Sequence, residues 1–254
     1  MSESFSDKAI ILRRVNVGEA DRILSILTES HGKISVRAKS VRKLTSKLAG
    51  AVEPFCYSEL HLVQGKKYAT LAGAKIINMY ARAREDFEKL TLSCEFIEVV
   101  ERNLHDGLAH KEVFGLLKNS LEFLDSNNQL SIINHKLRSY FILNFLKNLG
   151  YEPQLGICAH CHEKIEAGRQ LFSFAHGGLL CGKCDCDDFE ALEISVDLVK
   201  VLRLFLSSDI SIISRLKLDQ VLQGELIMIS NGLLSYRLEP AKKVDKFKHL
   251  VNSL

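Results

Sequence analysis

The sequence lacks any long apolar segment. Its apolar runs, such as residues 9–12 and 226–229, are far shorter than the about 20 residues that span a bilayer. The N-terminal stretch MSESFSDKAIILRRV also lacks a basic stretch followed by an apolar core of about 7–15 residues, so no signal peptide is visible. We therefore expect a cytoplasmic protein with no membrane partner.

Recognisable catalytic motifs are absent too. The sequence has no Walker A loop, no GxSxG elbow, no HExxH pair and no carboxylate cluster of the kind that holds Mg²⁺ in a nuclease. Glu19 and Asp21 form the notable acidic pair beside a basic region, and their position is more typical of a turn and a strand entry. We therefore expect no enzymatic activity, no catalytic residues and no small-molecule substrate.

Cysteine is scarce except in one segment. Five of the seven cysteines lie between Cys158 and Cys186, together with three of the nine histidines. In a reducing cytosol, such a cluster is more typical of metal binding or catalysis than of structural disulfides. An odd total also fits a fully paired disulfide set poorly. Cys56 and Cys94 lie outside the cluster, in apolar patterns, and are interpreted as buried small hydrophobes.

The spacing inside the cluster predicts a metal site. Two CxxC pairs, Cys158 with Cys161 and Cys181 with Cys184, are separated by the 19 residues 162–180, as in a zinc ribbon. Each CxxC turn directs two thiolates at one point, so two turns complete a tetrahedral shell around one structural Zn²⁺ per chain. The alternatives are a thioredoxin-like centre, which needs only one CxxC, and a chance cluster. The spare donors nearby are Cys186, His160, His162 and His176.

The first eighty residues show strand patterns. Turn residues separate five short β-prone runs, and a longer link, residues 40–54, joins the third run to the fourth. The runs are residues 9–15, 22–28, 33–39, 55–63 and 68–77. Five strands with one long connection are typical of an OB-fold barrel, and an SH3-like barrel is the main alternative.

Beyond the strands, apolar residues recur at helical spacing both before and after the cysteine segment. Gly150, followed by Pro153, predicts the end of the third helix. The sequence thus predicts an α+β protein with an N-terminal five-stranded OB-fold β-barrel in residues 1–80. An α-helical domain in residues 81–254 follows, with a four-cysteine zinc ribbon-like element inserted at about residues 155–187.

Charge is distributed unevenly along the chain. Residues 1–80 contain 13 Lys and Arg against 7 Asp and Glu, a balance of +6, whereas residues 81–254 contain 21 against 24, a balance of −3. A basic module joined to a mildly acidic one indicates a polyanionic partner for the first module.

The positive charge is concentrated in residues 30–52, which contain six basic residues and no acidic one. Side chains alternate faces along a strand, so Lys33, Arg37 and Lys39 are expected to form one exposed row. One-sign clustering increases self-repulsion, which favours phosphate binding over a purely solubilising role. The predicted phosphate-binding residues are Lys33, Arg37, Lys39, Arg42, Lys43 and Lys47, extended by Arg13, Arg14, Lys66 and Lys67.

Aromatic residues that would stack on bases are few in this region. Phe55, Tyr57 and Tyr68 are the candidates, and each position is more typical of a core residue than of a stacking platform. We therefore expect sequence-tolerant binding dominated by the sugar-phosphate backbone.

Several segments together resemble the bacterial recombination and DNA repair protein RecO family. The stretch GEADRILSILTESHGKISVRAKSVRKLTSKLAGAVEPF resembles its N-terminal region. The stretch NLGYEPQLGICAHC resembles the lead into its first cysteine pair, and FSFAHGGLLC the approach to its second. The helices beyond Ala191 match in pattern only.

The resemblance implies a recombination mediator in DNA repair. Such a protein binds single- and double-stranded DNA, anneals complementary strands and, with RecR, assists RecA loading onto single strands coated by SSB. The implied partners are DNA, RecR, the SSB C-terminal tail and, indirectly, RecA, at the nucleoid. The resemblance implies that the four cysteines are metal ligands. It also implies a DNA surface that consists of Arg37, Lys39, Arg42, Lys43 and Lys47.

The resemblance also associates the SSB tail with a basic and aromatic pattern in the helix before Leu149. This chain departs from that pattern with the residues RSYF at 138–141. Lys136 and Arg138 are the cations that would substitute there. The predicted fold alone, without the resemblance, allows an alternative function: the chain would be a zinc-ribbon adaptor protein that uses its basic barrel to bind RNA.

Overall fold

The computed structural model describes residues 3–127, 134–165, 168, 170–184 and 190–238. The described residues form two compact units, 3–127 and 134–238. Within these residues, no helix combines the length and the apolar character that crossing a membrane would require. The domain boundary after residue 80 stays a prediction, because the compact first unit also includes the helices that directly follow the barrel strands.

The first unit opens with five strands, which are β1 (Ser4–Val17), β2 (Asp21–Thr28), β3 (Gly32–Ala38), β4 (Tyr57–Val63) and β5 (Ala69–Asn78). They pair in the order β1-β2-β3-β5-β4, and β4 pairs again with β1, so the sheet closes on itself as a barrel. The β3–β5 pairing is short and parallel, and the others are antiparallel. The α+β class and the five N-terminal strands are confirmed.

Three helices follow the barrel, which are α1 (Ala81–Glu85), α2 (Phe87–Asn103) and α3 (Lys111–Ser126). Part of the outer barrel face is apolar: Ile10 pairs with Leu27 in β2 and with Tyr57 in β4, and all three are buried. The Tyr57 ring meets the Phe114 ring of α3 at 6.1 Å. The helices therefore cover this part of the outer face, while the inner face packs around residues such as Ile11.

A half-buried arginine joins the barrel to the helices. The Arg84 guanidinium lies 3.9 Å from the centre of the Phe55 ring. It also donates hydrogen bonds to the carbonyls of Met79 and Pro54, at 2.6 Å each. Burial lowers the pKa of Arg84, but an arginine pKa starts so high that the side chain stays charged. This contact fixes the start of β4 against α1.

In its described residues, the second unit contains four helices and three short strands. They are α4 (Asn134–Asn148), β6 (Gln170–Ser173), β7 (Gly178–Leu180), β8 (Leu192–Ile194), α5 (Val196–Ser207), α6 (Ile212–Arg215) and α7 (Gln220–Arg237). The strands form one antiparallel sheet in the order β7-β6-β8, between α4 and α5 in the chain. The predicted helical C-terminal part is therefore confirmed.

The end of α4 follows the sequence signal. Gly150 has a φ of +85°, a left-handed conformation that glycine adopts without steric strain. The Tyr151 amide then donates a 2.8 Å hydrogen bond back to the Leu146 carbonyl, which satisfies a free carbonyl of the last helical turn. The prediction that the third helix ends at Gly150 is confirmed.

Candidate nucleic-acid interface and cysteine cluster

The uncovered part of the outer barrel face carries two exposed arginines. In the strand register, Arg13 lies beside Ser25, and Ser25 beside Ser35. Two residues further along the strands, Arg37 lies beside Ile23. Because side chains two residues apart share a face of the sheet, Arg13 and Arg37 lie on the same face, and both are exposed.

An acidic residue fixes Arg37 in place. Nε and Nη2 of Arg37 donate to Oδ2 of Asp21 at 3.0 and 2.8 Å, while the backbone N–H of Ser40 donates to Oδ1 of Asp21 at 2.8 Å. The N–H of Ser40 and then Arg37 hold the pKa of Asp21 below its ordinary value. Asp21 thus ties the end of β3 to the start of β2, in line with its interpretation as a strand-entry residue.

The link between β3 and β4, which we term the basic loop (residues 39–49), is anchored at several points. The Arg42 side chain donates to the Gly18 carbonyl at 3.1 Å, and its backbone N–H donates to the Ala20 carbonyl at 3.0 Å. Val41 and Leu48 pack into the barrel core. The loop therefore has a fixed backbone from which its charged side chains project.

Three lysines of the basic loop project into solvent, and they are Lys39, Lys43 and Lys47. Among the described residues, their ammonium groups have neither a hydrogen bond nor an ion pair. Lys39 acts on the Asp21 carboxylate only through its charge, without a hydrogen bond. All three ammonium groups can therefore donate hydrogen bonds to a polyanion.

Lys33 departs from the predicted row. Its side chain is only 12% exposed, and Nζ donates a 2.7 Å hydrogen bond to the Glu101 carbonyl at the end of α2. Nζ also lies 3.5 Å from the Asp106 carboxylate. The expected exposure of Lys33 is wrong because the helices cover the beginning of β3, which the alternation of side chains along one strand cannot reveal.

Arg14 also turns inwards. A β-bulge between Ile11 and Arg13 shifts the register of β1, so that Arg14 pairs with the buried Leu24 and shares its face. The Arg14 side chain is 8% exposed and ion-paired with Glu53. Burial lowers the pKa of Arg14, and the negative charge of Glu53 opposes that effect. Arg14 therefore does not extend the exposed surface.

Glu53 and Arg22 were missed by the sequence reasoning. Nη1 of Arg22 lies 3.2 Å from the Glu53 carboxylate, which therefore bridges two arginines from neighbouring strands. The available signal was that Glu53 is the first acidic residue after the acid-free stretch 30–52. The bridge fixes the end of the β3–β4 link to β1 and β2.

The turn between β4 and β5 adds Lys66 and Lys67, both exposed. Nζ of Lys67 lies 5.2 Å from the centre of the Tyr68 ring, a cation–π distance. Phe55 and Tyr57 are buried, at 0% and 6% exposure, whereas Tyr68 is partly exposed. Of the three candidate aromatics, Tyr68 is therefore the one able to meet a base.

The four cysteines of the two CxxC pairs come together in the second unit. The sulfur atoms of Cys158, Cys161, Cys181 and Cys184 all lie within 4.8 Å of one another. A tetrahedral zinc with Zn–S bonds of about 2.3 Å places its sulfurs about 3.8 Å apart. The four donors therefore fit a Zn²⁺ ion by number, chemical type and spacing.

Backbone hydrogen bonds shape the cluster. The Ala159 amide donates to the Leu179 carbonyl of β7 at 2.7 Å, which joins the first CxxC turn to the sheet. Burial acts to raise the pKa of the Cys158 thiol. Hydrogen bonds from the backbone N–H groups of Cys161, Cys181 and His160 outweigh burial and hold that pKa at about 6. The backbone thus favours a thiolate at Cys158, whereas the pKa values of the Cys161 and Cys184 thiols are raised, that of Cys184 mainly by burial.

The spare donors lie around the cluster. Nδ1 of His160 is 3.4 Å from Sγ of Cys184, and the His160 ring contacts the His176 ring at 4.9 Å between centroids. His162 is exposed, with a left-handed φ of +63°. Cys186 lies outside the described residues. Cys56 and Cys94, at 0% and 2% exposure, are buried as predicted.

The cations proposed for an SSB contact in α4 are engaged within the second unit. Lys136 is buried, and its Nζ donates to the carbonyls of Ile213 and Leu216 at 2.7 and 2.8 Å. Burial lowers the pKa of Lys136. Arg138 donates a 2.5 Å hydrogen bond to the Asn231 side chain. Nζ of Lys136 therefore contacts the end of α6, and a role for Lys136 in an SSB contact stays a prediction.

The chain matches two family models over most of its length. The model described as "Recombination protein O N terminal" matches residues 1–80, and "Recombination protein O C terminal" matches residues 84–246. A curated DNA repair protein RecO from Dehalococcoides mccartyi strain BAV1 is 36% identical over 239 residues, covering 94% of this chain and 92% of that protein. One from Syntrophomonas wolfei is 30% identical, covering 86% and 85%. One from Acetivibrio thermocellus is 30% identical, covering 91% and 90%.

Proposed function

The chain belongs to the recombination protein O (RecO) family, and from that premise we propose that it is a non-enzymatic recombination mediator in DNA repair. In this proposal it binds single- and double-stranded DNA and anneals complementary strands. With RecR it assists RecA loading onto single-stranded DNA coated by SSB. The observation that carries the proposal is the anchored basic loop, whose lysines project from the barrel without a hydrogen bond or ion pair among the described residues.

We propose that the barrel is an OB-fold. Its strand order, its short parallel β3–β5 pairing and its long β3–β4 connection support that assignment. OB-folds bind nucleic acid on the face of strands 2 and 3 and with the loops between strands 1 and 2 and strands 4 and 5. Arg37 lies on that face, Arg42 contacts the first loop through Gly18, and Lys66 and Lys67 lie in the second.

The proposed DNA surface therefore consists of the exposed members of the predicted set, which are Arg13, Arg37, Lys39, Arg42, Lys43, Lys47, Lys66 and Lys67. These side chains donate to phosphate oxygens, and such contacts position a strand without reading its sequence. Two complementary strands repel each other through their phosphates. A surface that neutralises phosphates on both strands lowers that repulsion and promotes pairing without a nucleotide.

We propose that the four cysteines hold one structural Zn²⁺. The donor set leaves no open coordination position, so a bound ion would stabilise the fold around β6 and β7 rather than activate water. The backbone N–H groups directed at Cys158 would stabilise one of the four thiolates that the ion binds. In this proposal the metal maintains the second unit and takes no part in annealing.

The remaining partners follow from the family alone. RecR and the SSB C-terminal tail are proposed as protein partners, RecA as an indirect one, and the cytoplasm at the nucleoid as the location. Because Nζ of Lys136 donates to carbonyls at the end of α6, we propose that an SSB contact uses other residues.

Strand annealing with purified protein tests the proposal. Two complementary fluorescent oligonucleotides should pair several times faster with the protein than without it, with no nucleotide added. The same assay with RNA strands is the comparison for the RNA-adaptor alternative. Acceleration of RNA pairing alone would favour that alternative, and the absence of any acceleration would contradict the mediator role.

A further inference from the structure

The most exposed large apolar side chain among the described residues lies at the tip of the basic loop. Leu44 has a relative exposure of 107%, compared with 76% for Phe87 and 75% for Val221. Single exposed leucines are common on protein surfaces. Leu44 differs because it lies in the acid-free stretch 30–52 and because the loop holds it outwards.

The backbone of the loop presents Leu44 at the apex of a tight turn. The Ser46 amide donates a 2.9 Å hydrogen bond to the Lys43 carbonyl, and the Lys43 amide donates to the Ser40 carbonyl at 3.2 Å. The apolar residues on either side, Val41 and Leu48, pack into the barrel core. The loop therefore buries two of its three large apolar side chains and projects the one between them into water.

The charges around Leu44 indicate which kind of molecule binds at the loop tip. Arg42 and Lys43 directly precede Leu44, and Lys47 follows three residues later, all exposed. A polyanion drawn to these cations approaches the loop tip itself. A nucleic acid strand also offers apolar base faces between its phosphates, and proteins insert leucine against such faces to unstack neighbouring bases.

We propose that Leu44 packs against the face of an unpaired base while the flanking cations hold the adjacent phosphates. This inference rests on the DNA-binding function proposed above and adds an apolar contact to it. A leucine held on a preformed turn loses little conformational entropy on binding. By separating two stacked bases, Leu44 would leave their pairing edges accessible to a complementary strand.

The test compares Leu44→Ser with the wild type on single-stranded oligonucleotides, by fluorescence anisotropy. Loss of one leucine contact should weaken binding about tenfold, equivalent to ~1.4 kcal/mol. An apolar contact releases no counterions, so the slope of log affinity against log salt should stay unchanged. Leu44→Met should retain most of the affinity. Leu108→Ser, which changes another exposed leucine of the same unit (56% exposed), should have no effect.

A second probe isolates the contact with a base. The wild type should bind an oligonucleotide with a tract of abasic residues more weakly than the intact strand. The ratio of the affinity for the intact strand to the affinity for the abasic strand should be about tenfold smaller in Leu44→Ser. If Leu44→Ser loses the same affinity for the intact and the abasic oligonucleotide, or loses affinity for neither, the inference is overturned. No loss for either would point to a protein contact for Leu44. If the wild type retains no oligonucleotide at all, the proposed function fails first and the inference fails with it.

Discussion

Replacing two lysines of the basic loop tests whether this loop carries the phosphate contacts. The double substitution Lys39→Gln with Lys43→Gln removes two exposed charges. Among the described residues, neither ammonium has a hydrogen bond or an ion pair to lose. Arg37 is less suitable, because it donates to Asp21, and a glutamate at that position would repel the carboxylate that holds the Ser40 amide.

The expected magnitude follows from counterion release. Each phosphate contact on a single strand contributes about 0.7 to the slope of log affinity against log salt, so two lost contacts should reduce the slope by about 1.4. Between about 50 and 200 mM salt, the affinity ratio of wild type to variant should therefore shrink about sevenfold. The variant is most impaired in dilute buffer and approaches the wild type as salt rises.

The barrel provides a matched control on its opposite side. Lys8, Glu59 and Lys75 lie side by side on β1, β4 and β5, and all three are exposed. Lys8→Gln with Lys75→Gln changes the net charge by the same amount as the test variant. Fluorescence anisotropy with a labelled oligonucleotide at five or six salt concentrations measures both slopes. Thermal melting checks that each variant is folded.

The proposed surface is supported only if the test variant lowers the salt slope and the control variant does not. If the control lowers the slope as much as the test variant does, net charge rather than the basic loop determines binding. If the test variant keeps the wild-type slope, the loop makes no phosphate contacts and the proposed surface is wrong.

Five further substitutions test separate parts of the molecule. Gly32 has a φ of +73°, and an added Cβ would lie 1.9 Å from the Leu108 carbonyl oxygen, so Gly32→Ala should lower the free energy of unfolding by about 3 kcal/mol or more. At Gly18, φ is +59° and an added Cβ would have no atom within 4 Å, so Gly18→Ala should lower the free energy of unfolding by only the ~1–2 kcal/mol of a left-handed residue. Equal losses for the two glycine variants in urea unfolding would contradict this reasoning. Cys158→Ser should abolish zinc retention and lower the melting temperature of the second unit, because structural zinc supplies on the order of 10 kcal/mol; normal melting without metal would refute a structural zinc. Lys136→Met should cost about 1–3 kcal/mol, because the carbonyls of Ile213 and Leu216 lose their donor, and oligonucleotide affinity should stay unchanged. Loss of binding to an SSB-tail peptide at unchanged stability would instead support the predicted SSB contact. Ser40 and Arg37 lower the pKa of Asp21. The stabilising contacts of Asp21 are therefore complete above the ordinary carboxyl pKa of about 3.9 and are lost only as pH falls through the lower pKa of the folded state. Trypsin should cut the basic loop of Asp21→Asn faster than that of the wild type at pH 7, while the wild type stays resistant from pH 8 to 5.

Local patterns predicted the elements of this fold well. The alternation of apolar residues placed five strands in the first eighty residues, and the structure contains them in that order. Gly150 ended α4 as expected, because a left-handed cap depends on one residue and its immediate neighbours. The CxxC spacing likewise predicted that Cys158 and Cys184 approach each other, since each pair is a local turn.

The failures share a different cause. Arg14 turns inwards because of a bulge that depends on pairing with β2, and Lys33 is covered by a helix nearly seventy residues further along the chain. The hydrogen bonds from Lys136 to carbonyls at the end of α6 are likewise contacts that the sequence alone does not reveal, and its role in an SSB contact stays a prediction. Each of these side chains satisfies a partner that only tertiary packing brings near. Cationic side chains on predicted strands and helices are therefore uncertain site residues until packing is known.

The arrangement of the basic loop suits a protein that must pair strands of any sequence. Anchoring through Asp21, Arg42 and Glu53 removes most of the entropy that a mobile loop would lose on each encounter. The proposed contacts to phosphates, and the proposed apolar contact between Leu44 and a base face, would both leave the hydrogen-bonding edges of the bases unoccupied. A strand held in this way stays competent to pair with its complement. Base-specific hydrogen bonds would instead occupy those edges and would slow annealing in proportion to their strength.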